Sequence, residues 1–198
     1  MSATTLPSSP STAVSYTVED VLSRPDGEKY ELVEGELRET AMSQESSWIA
    51  GEIYRQIANH AMANQSGWAF PDGTSYAYSF QGDERLRRPD ATFIKSERLP
   101  AGPTSWGVCH VLPDLAVEVL SPNDRFLDVI AKVDEYLAVG VLQVWVIIPT
   151  HQTMFVYSAN GDLKKLTAQD QLTGGAELPG FQCQVKSLFP AQQAITSP

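Results

Sequence analysis

The stretch PDLAVEVL at residues 113–120 decides the fold, because it is an apolar, β-branched run in which one acid, Glu118, stands between two valines. Alternate residues of a strand point to opposite faces, and both faces of this run carry apolar residues, so both are expected to be buried. A buried carboxylate is costly unless it is paired, hydrogen-bonded or bound to a metal. The stretch therefore predicts a central strand and a partner for Glu118.

The residues that follow predict a helix that folds back over this strand. Residues 121–124 break the strand and offer capping side chains, and apolar residues then recur at helical spacing over 129–137. Lys132 lies about 40° from Tyr136 around the helix axis, so it flanks the apolar stripe instead of opposing it. We expect its ammonium group to lie over the end of the strand that carries Glu118.

The rest of the chain alternates between helical and strand patterns. We expect a capped helical turn at 17–22, a hairpin of 30–33 and 36–39 turned by Gly35, a helix from Ser43, strands at 76–80, 88–94 and 143–148, and a hairpin of 153–158 and 163–166. Residues 96–112 are predicted to form a long loop. Short strands mixed with helices indicate one α/β domain.

Length and composition place this domain at residues 16–190, between a disordered N-terminal tail at 1–15 and a C-terminal tail at 191–198. The chain has no run of eighteen apolar residues, so no membrane span is predicted. Cys109 and Cys183 have no zinc-binding spacing and fit free thiols, which indicates a cytoplasmic protein.

The net charge of −10 disfavours nucleic acid as a partner, because phosphate contacts need Lys and Arg. A metal-bound site can nevertheless attract phosphate locally. One local basic cluster is visible, and it fits either phosphate contacts or a solvated strand edge. The cluster consists of Arg85, Arg87, Arg88, Lys95 and Arg98.

A second acid, Asp90, lies in the predicted strand at 88–94. A divalent cation shared by Asp90 and Glu118 would offset both charges, and the Lys132 ammonium could stabilise charge that develops on a phosphate. A purely structural interpretation stays open: Asp90 also fits a strand-start acid paired with a neighbouring arginine, and Lys132 fits a solvated residue paired with Asp128. The three histidines show no metal-ligand spacing.

An ordered series of motifs resembles one protein family. The series is YELVEGEL at 30–37, RPD at 88–90, PDLAVEVLSP at 113–122, KVDEYLAVGV at 132–141 and VWVI at 144–147. It resembles the bacterial "putative restriction endonuclease" (Uma-type) domain family of the PD-(D/E)XK restriction-endonuclease-like superfamily, over residues 16–189. The resemblance implies an α/β fold with a mixed α+β sheet, namely an α-β-β-β-α-β core with N-terminal and C-terminal β-hairpin additions.

The resemblance also implies a site. Asp90 and Glu118 would be catalytic and hold Mg²⁺ or Mn²⁺, and Lys132 would take the role of the motif lysine, whose usual position is Leu120 here. Three further acids are weaker candidates for the site. They are Glu45, beside the position where many relatives carry His, and the hairpin acids Glu31 and Glu36.

Two functions compete on this evidence. The first is a metal-dependent endonuclease that hydrolyses DNA phosphodiester bonds. The second is a catalytically silent nuclease-fold protein that acts as a binding or self-associating module, which the net charge and the absence of a recognisable DNA-binding appendage favour. A homodimer is expected from the family under either hypothesis.

Overall fold

The computed structural model of the protein describes residues 14–105, 107–122 and 124–191. Most of both predicted tails, and the predicted capping residue Asn123, lie outside these ranges. The α-helices are α1 (Val18–Ser23), α2 (Gln44–Asn64) and α3 (Phe126–Ala138). The strands are β1 (Tyr30–Val33), β2 (Glu36–Glu39), β3 (Gly67–Pro71), β4 (Tyr76–Phe80), β5 (Asp83–Arg87), β6 (Ala91–Lys95), β7 (Leu115–Val119), β8 (Gln143–Ile148), β9 (Thr153–Ser158), β10 (Leu163–Thr167), β11 (Gln171–Thr173) and β12 (Gln182–Gln184).

A six-stranded sheet forms the centre of the domain, in the order β10-β9-β8-β7-β6-β3. Strands β7 and β8 are parallel and are joined through α3, whereas the other neighbours in this sheet are antiparallel. Helix α2 packs on one face through Ile49, Ile53 and Ile57. Helix α3 packs on the other face through Val133 and Tyr136. Strand β7 is therefore buried on both faces, which confirms the prediction from its sequence.

A second sheet of four strands, in the order β2-β1-β5-β4, lies beside α3. Its core is continuous with α1 through Val21, Leu32 and Leu86. The hairpin of β1 and β2 turns at Glu34 and Gly35, both with positive φ, as the sequence predicted for this turn. Tyr78 of β4 packs into the apolar cluster around α3, so the second sheet contacts this helix.

The predicted strand at 88–94 is wrong in its first part. Strand β5 ends at Arg87 in the four-stranded sheet, and β6 begins at Ala91 in the six-stranded sheet. The segment 88–90 crosses between the two sheets, which its central Pro89 favours because proline has no N–H to donate to a ladder. This crossing places Arg88 and Asp90 at the junction of the sheets.

Other local predictions need smaller corrections. Strands β3, β5, β11 and β12 were missed. Helix α3 begins after Arg125 without a side-chain cap, so the capping role predicted for Ser121 and Asp124 is not seen. The capping box of α1 is present as predicted, with Thr17 and Asp20 bonded reciprocally. Every helix in the described ranges is too short or too polar to cross a bilayer.

Candidate active site

A cavity of about 690 Å³ opens between the two sheets and the N-terminal half of α3. Charged residues make up much of its wall. The acids are Glu28, Glu31, Glu39, Asp72, Asp90, Glu118, Asp124 and Asp128, and the basic residues are Lys29, Arg38, Arg87, Arg88, Arg125 and Lys132. The three residues that the sequence placed in the site, Asp90, Glu118 and Lys132, therefore lie in one cavity.

Asp90 and Glu118, hereafter the carboxylate pair, lie at the same end of two adjacent strands. Each is one residue beyond the paired Ala91 and Val117 of β6 and β7. The Asp90 amide donates to the Val117 carbonyl over 2.9 Å, and one Asp90 carboxylate oxygen accepts from the Val119 amide. Both side chains are buried, so the backbone of β7 fixes the position of the Asp90 carboxylate.

Burial raises the pKa of Asp90 well above its ordinary value, and the nearby charge of Glu118 raises it further. The Val119 amide and Lys132 oppose these effects only in part. Burial also raises the pKa of Glu118, although Lys132 and Tyr136 act against it. The carboxylate pair is therefore short of positive charge, because one ammonium group faces two buried acids.

Lys132 supplies that ammonium group. Its Nζ lies 3.1 Å from Glu118 Oε2 and 3.2 Å from Glu31 Oε1, and the Tyr136 hydroxyl donates to Glu118 Oε1 over 2.9 Å. Burial lowers the pKa of Lys132, but the charges of Glu118 and Glu31 outweigh it, so the pKa lies above its ordinary value. Lys132 is therefore protonated and positively charged. It pairs with Glu118 and Glu31 instead of Asp128, the partner expected under the purely structural interpretation.

Glu31, Arg85, Arg87 and Glu135, hereafter the arginine network, lie behind Lys132. Arg87 donates one hydrogen bond of 3.0 Å to Glu31 and two hydrogen bonds of 2.8 Å each to Glu135. Arg85 adds a bond of 3.3 Å to Glu135, and the Arg88 amide donates to Glu31 over 2.9 Å. Both arginine side chains are buried, so the predicted solvated edge is wrong for them.

Burial raises the pKa of Glu31, but Lys132 and Arg87 outweigh it, and the resulting pKa lies below the ordinary value. The same balance holds for Glu135, where burial raises the pKa and the bonds and charge of Arg87 lower it more. Sequence reasoning missed Glu135 altogether. The available signal was its position three residues after Lys132, which places both on neighbouring parts of one helix surface.

The other predicted acids are placed differently. Glu36 lies on β2, pairs with Arg38 over 2.7 Å and is mostly exposed. Glu45 is exposed in the first turn of α2 and does not line the cavity. Beside it, Ser46 is buried and donates to the Leu120 carbonyl over 3.1 Å, which ties the start of α2 to the end of β7.

The carboxylate pair suits a hard divalent cation. No group of three or more His, Cys, Asp or Glu side chains within the described ranges is arranged to hold a metal by itself. Mg²⁺ commonly binds through one or two carboxylates and completes its shell with water and substrate phosphate. Two buried carboxylates that are short of positive charge and border a cavity fit that type of site.

The site thus combines a mixed sheet, an acid at the same end of two neighbouring strands and a helix lysine that contacts one of these acids. The sequence matches the Uma2 family, described as "Putative restriction endonuclease", over residues 18–186, and the chain belongs to this family. The predicted resemblance and fold class are therefore confirmed.

A solved structure with this fold matches the chain. It is the crystal structure of "a putative nuclease belonging to DUF820 from Anabaena variabilis", with a TM-score of 0.75 and 23% sequence identity. The similarity covers 87% of this chain and 97% of that chain. Comparison with curated proteins gave no significant match.

Proposed function

We propose that the protein is a Mg²⁺- or Mn²⁺-dependent endonuclease that hydrolyses DNA phosphodiester bonds, with the cation held by Asp90 and Glu118. The observation that carries this proposal is the carboxylate pair itself. Two buried acids on adjacent strand ends, with a single ammonium between them and the arginine network, border a cavity of about 690 Å³. Such an arrangement is costly for folding alone and useful for binding a cation.

The bound cation would polarise the phosphate and lower the pKa of a coordinated water. The Val119 amide holds Asp90, and Tyr136 holds Glu118, so both carboxylates are oriented before a ligand arrives. The Lys132 ammonium, held over 3.1 Å by Glu118, is placed to stabilise negative charge that develops on the phosphate. Glu31 positions Lys132 from the other side.

The net charge of −10 does not describe the cavity. Six of the fourteen Lys and Arg residues of the chain line it, together with eight of the twenty-four acids. Basic residues are thus concentrated there relative to the whole chain, and a bound divalent cation adds two positive charges. The local electrostatics are compatible with a polyanionic substrate even though the rest of the surface is acidic.

The test is cleavage of supercoiled plasmid with Mg²⁺ or Mn²⁺ by the wild type, Asp90→Ala and a control, Asp134→Asn. Asp134 is an exposed acid on α3 that does not line the cavity. We expect cleavage by the wild type and the control and none by Asp90→Ala. Equal cleavage by all three proteins would refute the assignment, since a contaminating nuclease would explain it.

The second candidate, a silent nuclease-fold module, is favoured by one observation: Lys132 already forms an ion pair with Glu118. Calorimetric titration with Mn²⁺ separates the two. Binding by the wild type that is lost in Glu118→Ala supports the enzyme, whereas no binding by the wild type supports the silent module. The expected homodimer and cytoplasmic location stay predictions.

A further inference from the structure

Three arginines of one short segment have different partners. Arg85 and Arg87 of β5 are buried and bonded to carboxylates of the arginine network. Arg88, the next residue, is only 7% exposed, yet it makes no ion pair with any described residue, and its Nη1 has no hydrogen-bond partner among them. A buried guanidinium that lacks a partner is costly, which makes this residue unlike its two neighbours.

Arg88 lines the same cavity as the carboxylate pair. It lies two residues before Asp90, on the segment that crosses between the two sheets. Its backbone is fixed, because the Arg88 amide donates to Glu31 over 2.9 Å and Pro89 restricts the conformation of the preceding residue. The Arg88 backbone is therefore held at the wall of the cavity by Glu31, the same acid that pairs with Lys132.

The chemistry of Arg88 points to an anion. A guanidinium keeps its charge in proteins and presents paired N–H donors that match the oxygens of a phosphate. Among the described residues, no carboxylate lies within ion-pair distance of this guanidinium, and its Nη1 has no acceptor. A ligand phosphate in the cavity would supply both the missing acceptor and the missing charge.

We propose that Arg88 binds a phosphate group of the DNA strand in this cavity, next to the carboxylate pair; the choice of DNA as the source of that phosphate rests on the proposed function. Arg85 and Arg87 then support the architecture, and Arg88 contacts the substrate. The cavity has the size of an ordinary ligand site, so a nucleotide phosphate fits within it.

The test measures binding of a fluorescent DNA duplex to the wild type, Arg88→Gln and Arg88→Lys. Binding is measured once with Ca²⁺ and once with EDTA, and Mn²⁺ affinity is measured alongside. Arg55→Gln is the matched control, because Arg55 is exposed, pairs with Glu52 and lies outside the cavity. Thermal unfolding of each variant shows whether it is folded.

We expect Arg88→Gln to weaken duplex binding by about 10- to 100-fold, the usual value of a hydrogen bond to a charged group. The slope of log affinity against log salt should fall by about 1. Arg88→Lys keeps the positive charge but loses the paired N–H donors of the guanidinium, so it should bind the duplex with intermediate affinity. Mn²⁺ affinity and the behaviour of Arg55→Gln should stay at wild-type values.

The outcomes separate this proposal from the proposed function. If plasmid is cut and Mn²⁺ is bound but Arg88→Gln binds duplex as the wild type does, the role of Arg88 is overturned and the enzyme is not. In a second outcome, the wild type binds duplex in EDTA, Arg88→Gln does not, and the wild type neither binds Mn²⁺ nor cuts plasmid. The role of Arg88 in binding phosphate is then supported, and the proposed catalysis is overturned. A wild type that binds no duplex in either buffer overturns both.

Discussion

Two neighbouring groups of buried acids have opposite electrostatic surroundings. Burial raises the pKa of both Asp90 and Glu118 in the carboxylate pair, and the charge of Glu118 raises that of Asp90 further. In the arginine network, the pKa of Glu31 and of Glu135 is lowered in spite of burial, because Lys132 and Arg87 lie beside Glu31 and Arg87 binds Glu135. The same residue types at similar depth thus form balanced ion pairs in one place and, in the other, the pair for which we propose a cation.

The difference shows how the site is supported. Lys132 and Glu135 lie on one helix, and Arg87 joins Glu135 to Glu31, which in turn contacts Lys132. The arginine network therefore ties α3 to strands β1 and β5 and holds Lys132 beside Glu118. Burial of the carboxylate pair is unfavourable, whereas the charges of the neighbouring arginine network are balanced within the chain. Substitutions in the two groups should consequently have different effects.

The largest effect is expected from Asp90→Asn. The asparagine keeps an oxygen that accepts from the Val119 amide but loses the charge that a cation needs. We expect cleavage to fall by about 10³-fold or more, since a catalytic metal contributes several kcal/mol. In metal-free buffer at pH 8 the same variant should unfold about 2–4 °C higher than the wild type, because charge repulsion with Glu118 is removed.

Differential scanning calorimetry in EDTA and plasmid cleavage in Mn²⁺ measure both halves of that prediction. A variant that loses activity and also loses stability would show that Asp90 is a structural acid, and the contrast between the two groups would then be wrong.

The next effect is a loss of stability in Arg87→Met. The substitution leaves Glu135 buried without its main counter-charge and Glu31 paired with Lys132 alone, and breaking a buried pair costs about 3–5 kcal/mol. Urea denaturation should show this decrease in the free energy of unfolding. The matched control is Arg55→Met, which removes an exposed pair with Glu52 and should cost at most about 1 kcal/mol. If both variants lost a similar free energy of unfolding, the arginine network would stabilise the fold no more than an exposed ion pair does.

A smaller effect is expected from Tyr136→Phe, which tests how the carboxylate pair is oriented. Only the hydroxyl that donates to Glu118 over 2.9 Å is lost, and the ring still fills its place in the core. Removing a partner that orients a metal ligand typically lowers metal affinity by about 10- to 100-fold. Titration with Mn²⁺ measures this, with Tyr54→Phe on α2 as the control. Unchanged affinity in Tyr136→Phe would mean that Glu118 is held adequately by Lys132 alone.

The sequence predicted the part of this architecture that local patterns encode. Strand β7 and the apolar stripe of α3 follow from hydrophobic spacing, and Glu118 was identified because a mid-strand acid between valines needs a partner. The arginine network could not be predicted in this way. Its ion pairs join residues 31, 87 and 135, which are brought together only by the packing of β1 and β5 against α3.

The crossing at 88–90 illustrates the same limit. Alternation of side chains continues through it, so a single strand was predicted where the chain changes sheets. Hydrophobic periodicity reports which residues are buried but not which sheet buries them. The special position of Arg88 therefore became visible only in the structure, whereas Asp90 was identified from its motif.

The smallest effect concerns pH, and it tests the arginine network alone. Burial raises the pKa of Glu135, but Arg87 lowers it more, so the folded pKa is below the ordinary value of 4.5. A carboxylate of this kind stabilises the fold above its unfolded pKa, and that stability is lost as pH falls through the folded pKa. Below about pH 4.5 the free energy of unfolding should therefore decrease, with at most about 1.4 kcal/mol per pH unit from this one group. In Glu135→Gln that contribution is absent, so the decrease on acidification should be shallower even though the variant starts from lower stability. Parallel pH curves for the two proteins would mean that Glu135 has the same pKa folded and unfolded, and Arg87 would then not balance its charge.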